Sequence, residues 1–282
     1  MSEDKKPVEM DVTDYTDPQC PFCVDQYKSD NVHPIDLGRV ITKLDEYLSH
    51  NDYAGAERHL LYWLEEAKQG NDLRGEFSLR EECMGLYRKL GRGEEALAAA
   101  ARTLRLIDLL ELRGTVSAAT ALLNVATVYK AFGKAADAVP LFEEARGIYE
   151  EKLPSDDSRV AGLYNNFALA LVDLKRYEEA RELYLKALAV LANVEGSEPE
   201  RAITELNLAT LAEAQYGLEE GEAEIEARLA NAEKLLLGSD LPQDGNYAFV
   251  AEKCASVFGY YGWFAVEAEL KDRSKRIYGG KV

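Results

Sequence analysis

The sequence predicts an all-α fold, a solenoid of stacked antiparallel helix pairs, on three observations. A residue followed three places later by a small one recurs at Tyr53/Ala56, Gly93/Ala96, Ala135/Ala138, Tyr177/Ala180 and Leu218/Gly221. The first members mark a near-constant period of about 42 residues, within the range of helical repeat arrays. Each period holds two stretches of helical periodicity, as in "SRVAGLYNNFALALVDL" followed by "KRYEEARELYLKALAVLANV". Between periods lie "KQGNDLRG", "LRGT", "LPSDDS", "NVEGSEPE" and "LGSDLPQDGN", rich in the Gly, Pro, Ser and Asp that stop and cap helices. No segment shows sustained strand alternation. A single pair cannot hide its apolar face, so neighbours must stack into a continuous core.

Taken in order, residues 1–34 read as an irregular acidic N-terminal arm carrying Cys20-Pro-Phe-Cys23, with His33 nearby. A CxxC pair is half of a zinc site, and a closed site wants four ligands. A redox role needs a strand–helix context that this stretch lacks. The arm is therefore expected to tuck Tyr15, Phe22 and Tyr27 against the first helix pair, with a metal at Cys20 and Cys23 as the alternative. Residues 35–237 read as five pairs. Ala56, Ala96, Ala138, Ala180 and Gly221 let helices approach, while Tyr53, Tyr177, Leu141, Tyr184 and Leu188 fill the spaces between them. The first pair is weak, and the second has Gly93 where a large residue is expected. Pro140, a few residues into a second helix, predicts either a later helix start or a local kink. Residues 238–282 read as a degenerate sixth pair or C-terminal cap, its second helix near Phe264 after a slightly longer spacing. Phe258, Tyr260, Tyr261, Trp263 and Phe264 are expected to close that end as core or cap, with an exposed docking patch as the alternative.

These periods resemble the tetratricopeptide repeat, most clearly in the fourth, "YNNFALALVDLKRYEEARELYLKALAVL". The resemblance covers about residues 38 to 237. The long period is similar to that of the long-helix subtype found in kinesin light chains and many bacterial repeat proteins. The usual period is shorter, about 34 residues. The resemblance implies a right-handed superhelix whose concave face is lined by the first helix of each pair. It also implies a protein- or peptide-binding role.

Asn124, Asn166 and Asn207 precede the second-helix starts at Ala135, Tyr177 and Leu218 by one and the same interval, a single register in three successive pairs. Asn is a mediocre helix former, and a buried unpaired amide costs roughly 1–3 kcal/mol. Residues three and four apart share a helix face. Asn124 thus joins Thr120, Thr127 and Ala131 in a small, uncharged stripe, and Asn207 joins Ile203, Thr210 and Ala214. An amide offers donor and acceptor together, suited to gripping a peptide main chain. The resemblance points the same way, since an Asn at this first-helix position commonly contacts bound peptide. The competing expectation is that these amides bond neighbouring helices and set the stacking register. In the first two pairs the position is Thr42 and Glu82, so the series spans pairs three to five. Lys130, Asn165, Asp173 and Glu213, beside or one turn along the stripe, are candidates for reading a ligand's side chains.

Charge narrows the function classes. A net charge of −18 argues against nucleic acid, which needs a basic surface, and allows basic or neutral protein partners. No apolar run approaches the roughly 18 residues a membrane helix needs. The polar N-terminus lacks a secretory signal's apolar stretch, and four cysteines fit a reducing compartment, so a cytoplasmic location is expected. Cys83 and Cys254 read as core, and His50 and His59 as surface residues. There is no phosphate-cradling Gly loop, HExxH or nucleophile elbow, so no cofactor and no enzyme activity are expected. Residues 195–228 hold ten acids against Arg201 and Arg228, a solvated surface or a field steering a basic ligand; residues 271–282 hold five basic residues against Asp272. That tail complements a helix C-terminus or docks on a neighbouring subunit. The expected function is a non-enzymatic scaffold binding an extended peptide. The alternatives are a peptide sensor controlling a separate effector, and a metal-linked assembly protein.

Overall fold

The computed structural model describes residues 31–238 and 241–279. Among them are eleven helices and no strand. They are α1 (Leu37–Ser49), α2 (Tyr53–Gln69), α3 (Leu73–Lys89), α4 (Gly93–Leu109), α5 (Val116–Ala131), α6 (Ala135–Lys152), α7 (Ser158–Asp173), α8 (Tyr177–Leu191), α9 (Glu198–Leu236), α10 (Gly245–Tyr260) and α11 (Phe264–Gly279). Gly217, at φ 82° and ψ 173°, breaks α9 into two helices. With α9 counted as two, six pairs follow one another, and all five second-helix starts read from the sequence fall at Tyr53, Gly93, Ala135, Tyr177 and Leu218. The all-α solenoid-type architecture is as predicted, and α10 and α11 pack on each other, the second opening at Phe264.

The chain divides between Ile148 and Tyr149 into two compact units. In the first, α3 packs on α2, α4 and α5; in the second, α9 packs on α7, α8 and α10. First helices therefore pack on first helices, α3 on α5 and α7 on α9. Each unit has its own apolar core, one around Leu44, Leu60, Leu79 and Met84, the other around Leu229, Tyr247, Phe258 and Leu270.

Local chemistry sets the boundaries. The side chains of Asp36, Asp52, Asp72, Thr115, Asp157 and Asp244 accept a backbone N–H from the first turn of the helix each precedes, satisfying donors that otherwise have no partner. Asn51, Gly91, Gly133, Lys175 and Gly262 all have positive φ and all lie two places before a second helix, so one left-handed turn closes five of the six pairs. Ala56, Ala96, Ala138 and Ala180 are 0% exposed, and a Cβ on Gly221 would meet the Ala212 carbonyl oxygen at 3.2 Å. Gly93 is explained too: a Cβ there would lie 2.9 Å from the ring of Phe132, which fills the expected aromatic's space. Helix α6 starts at Ala135 and runs through Pro140, so the later start is not taken.

Residues 31–35 lie along the α2–α3 turn. The His33 N–H donates to the Gly70 carbonyl at 2.7 Å, and the Ile35 N–H donates to Asp72 at 3.0 Å. Gly70 is needed for that approach, because a Cβ would sit 2.3 Å from the His33 oxygen. Cys20, Cys23, Tyr15, Phe22 and Tyr27 lie outside the described residues. Two expectations are corrected. His59 is half-buried, bonded to the Val40 carbonyl at 2.9 Å and packed between the rings of Tyr47 and Trp63. In the C-terminal aromatic cluster Phe258 is core, but Tyr260 and Phe264 are 67% and 68% exposed. Tyr260 reaches for a carboxylate across the groove, and its ring stays in solvent. Cys83 and Cys254 are buried, their thiols pushed up to about 12 by burial.

Candidate functional site

The asparagine register lies on the first-helix layer of each unit. In the N-terminal unit, Asn124 of α5 is half-buried and its Nδ2 donates to Glu81 Oε1 of α3 at 3.0 Å. In the C-terminal unit, Asn207 of α9 makes the corresponding bond to Asn165 Oδ1 of α7, at 3.4 Å. The correspondence is one of register. Asn124 and Asn207 stand at one interval before Ala135 and Leu218, which open their second helices. Glu81 and Asn165 stand one place further back from Gly93 and Tyr177, which open those of the preceding pairs. Asn166 donates within its own helix, to the Gly162 carbonyl at 2.8 Å.

Each amide nitrogen thus has a partner in the chain, while the Oδ1 atoms of Asn124, Asn166 and Asn207 accept no hydrogen bond from the described residues. Beside them Thr127 and Thr210 donate to the carbonyls of Leu123 and Leu206 one turn back, at 2.8 and 3.1 Å. What remains on the stripe is mostly acceptor. Asn165 bridges more firmly than its neighbour, donating to Thr204 Oγ1 at 2.9 Å. Thr204 is 0% exposed.

Two grooves open along this layer. One, of about 380 Å³, lies between α3 and α5 and is lined by Glu81, Glu82, Arg88, Thr120, Asn124 and Thr127 among others. The other, of about 530 Å³, lies between α9 and α10 and includes Thr210, Glu213, Val257, Tyr260 and Tyr261. Lys130, half-buried near the end of α5, and Asp173, exposed at the end of α7, line neither.

Electrostatically the grooves differ. Burial pushes the Glu81 carboxyl up to about 7, the Asn124 hydrogen bond opposing the rise and the nearby Glu82 adding to it. In the other groove, Tyr260 and Tyr261 donate to the two oxygens of Glu213 at 2.5 and 2.6 Å. Sequence reasoning passed over Glu81 and Thr204 as site residues and took the two tyrosines first as core or cap, with a docking patch as the alternative. The readable signal was a spacing of 42–43 between an amide and a polar residue one register earlier, which picks out Glu81 and Asn165.

No group of three or more His, Cys, Asp or Glu side chains among the described residues is arranged to hold a metal. No described helix is long and apolar enough to cross a membrane.

A tetratricopeptide-repeat profile matches residues 85–151 and 159–220. No curated protein matches the chain. Among solved structures, a single-residue variant of a candidate kinesin light chain from Podosopora anserina with nearly identical TPR-like repeats is similar with a TM-score of 0.50 and 21% identity, covering 70% of this chain and 92% of that one. Its parent form gives 0.49 at the same identity and coverage. BtubC (BKLC) from P. vanneervenii gives 0.45 at 17% identity, over 88% of this chain and 92% of that one. At 21% identity the likeness to the single-residue variant is one of fold.

Proposed function

We propose that this chain, whose residues 85–151 and 159–220 are tetratricopeptide repeats, is a non-enzymatic protein-interaction scaffold that holds an extended polypeptide against its first helices. Repeats of this kind typically serve protein–protein interaction. The observation that carries the peptide reading is the set of half-buried asparagines on those helices, whose nitrogens are committed inside the chain and whose oxygens accept nothing from the described residues. An extended main chain supplies the missing donors, one N–H per residue. Asn124, Asn166 and Asn207 take backbone N–H groups, with Thr127 and Thr210 as further acceptors. Asn165 holds the wall that carries Asn207. Lys130 and Asp173, at the ends of their helices, read ligand side chains beyond the stripe. The charge of −18 favours a basic segment.

Linear peptides selected from a displayed library against the full chain, then titrated by fluorescence anisotropy, test this. Asn166→Ala combined with Asn207→Ala is expected to weaken them roughly tenfold while the melting temperature moves by less than about 3 °C. Unchanged affinity, or affinity and stability falling together, overturns the reading.

A further inference from the structure

One groove carboxylate is held by phenol hydroxyls rather than by an arginine. The helix-bridging carboxylates Glu57, Glu76, Glu205 and Glu224 each hold an arginine: Arg92, Arg102, Arg228 and Arg181 respectively. Glu213 has no cationic partner among the described residues. It is held instead by the hydroxyls of Tyr260 and Tyr261, whose rings meet edge to face at 4.9 Å and 79°. Phenol donors orient a carboxylate without neutralising it. The Glu213 hydrogen bond raises the pKa of Tyr260, and burial followed by the same bond raises that of Tyr261, so both remain donors at neutral pH.

The surroundings supply the rest of a receptor. Glu213 lines the roughly 530 Å³ groove between α9 and α10 together with Ala214, Val257, Tyr260 and Tyr261. Tyr260, which lines that groove, is 67% exposed. A carboxylate, two aromatic rings and aliphatic side chains lining one groove match a long cationic side chain: the charge meets the carboxylate, and the stem covers the apolar and aromatic lining. An anion is repelled by Glu213, and a neutral apolar group leaves that carboxylate uncompensated.

We infer that the α9–α10 groove is an anchor pocket for a lysine or arginine side chain of a bound polypeptide, with Glu213 as its counter-ion and Tyr260 and Tyr261 as its walls. This rests on the reading of the first-helix face as a polypeptide-binding surface and names one side chain that surface selects.

The test is an amide NMR titration of the full chain with N-acetyl-lysine N-methylamide and N-acetyl-arginine N-methylamide. The Nε-acetylated lysine derivative and N-acetyl-norleucine N-methylamide are the controls. The cationic probes are expected to shift the amides of residues 210–214 and 256–261 saturably, and the controls to shift them little. Glu213→Gln is expected to weaken the cationic probes roughly tenfold, as loss of a charge-assisted partner does. Tyr260→Ala, which removes an exposed ring, is expected to weaken them about threefold without disturbing the core, and so keeps the test open if Glu213→Gln does not fold. Equal shifts from neutral and cationic probes, or unaltered titrations in Glu213→Gln or in Tyr260→Ala, overturn the inference. If library peptides still need the asparagines while these probes do not bind, the pocket falls and the scaffold stands. If the probes bind but peptides ignore the asparagines, the reverse holds.

Discussion

The two units make the same bond with different chemistry. In both, an Asn at one fixed interval before a second helix reaches the preceding pair, but in the N-terminal unit it meets a carboxyl, Glu81, and in the C-terminal unit another amide, Asn165. Geometry in the repeat is thus inherited by register, while the acceptor is free to vary. The acceptor decides whether the contact responds to pH: an amide does not titrate, and Glu81 does so near neutrality.

The units also share a buried first-helix carboxylate held by a second-helix arginine: Glu76 with Arg102, and Glu205 with Arg228. Removing the cation is expected to give the largest effects in the molecule, because it leaves a buried charge without its partner. Arg228→Ala is expected to cost about 3–5 kcal/mol in urea unfolding. Arg102→Ala is expected to cost less, since Arg80 stays 3.4 Å from Glu76. Equal losses would mean that Arg80 does not share the charge. Arg102 also holds the Glu76 carboxyl below its ordinary value of 4.5. A carboxyl so depressed adds stability that is present above pH 4.5 and lost as pH falls below it.

Glu81 works with the opposite sign. Its folded-state pKa of about 7 lies above the ordinary 4.5, so the folded chain binds more protons in that interval and stability falls as pH rises from 4.5 to about 7. Glu81→Asn gives the N-terminal unit the neutral pairing of the other. The variant is expected to be more stable than the parent by roughly 1–2 kcal/mol at pH 8, with the advantage gone below about pH 4.5. Thermal unfolding across pH 4–8 reads this directly, and an advantage independent of pH would show that Glu81 does not carry it.

These contrasts mark what the sequence made legible. The period, the pairing and the small residues at Ala56, Ala96, Ala138 and Ala180 were readable because close helix approach demands the same residue size in every repeat. Gly93 looked like a defect because the ring that replaces its side chain, Phe132, comes from the end of the next pair's first helix. The asparagine series was visible, but its partners were not. The acceptor is Glu in one unit and Asn in the other, and one glutamate among 51 acidic residues carries no signal of its own. Tyr260 and Tyr261 were read as packing aromatics because nothing local shows that their hydroxyls reach Glu213, a full repeat earlier in the chain.

Adjacent asparagines give the finest comparison. Asn165 crosses to Thr204 and accepts from Asn207, so Asn165→Ala removes two bonds between first helices and is expected to cost about 1–2 kcal/mol. The Thr204 hydroxyl keeps its bond to the Glu200 carbonyl, which limits the loss. Asn166 reaches only the Gly162 carbonyl of its own helix. Replacing it with alanine gives up one local bond but gains a better helix former, and the two nearly cancel, leaving a change within about 0.5 kcal/mol. Chemical denaturation of the two single variants separates the cases. A cost for Asn166→Ala matching that of Asn165→Ala would mean that Asn166 also ties helices together, and would remove it from the surface offered to a ligand.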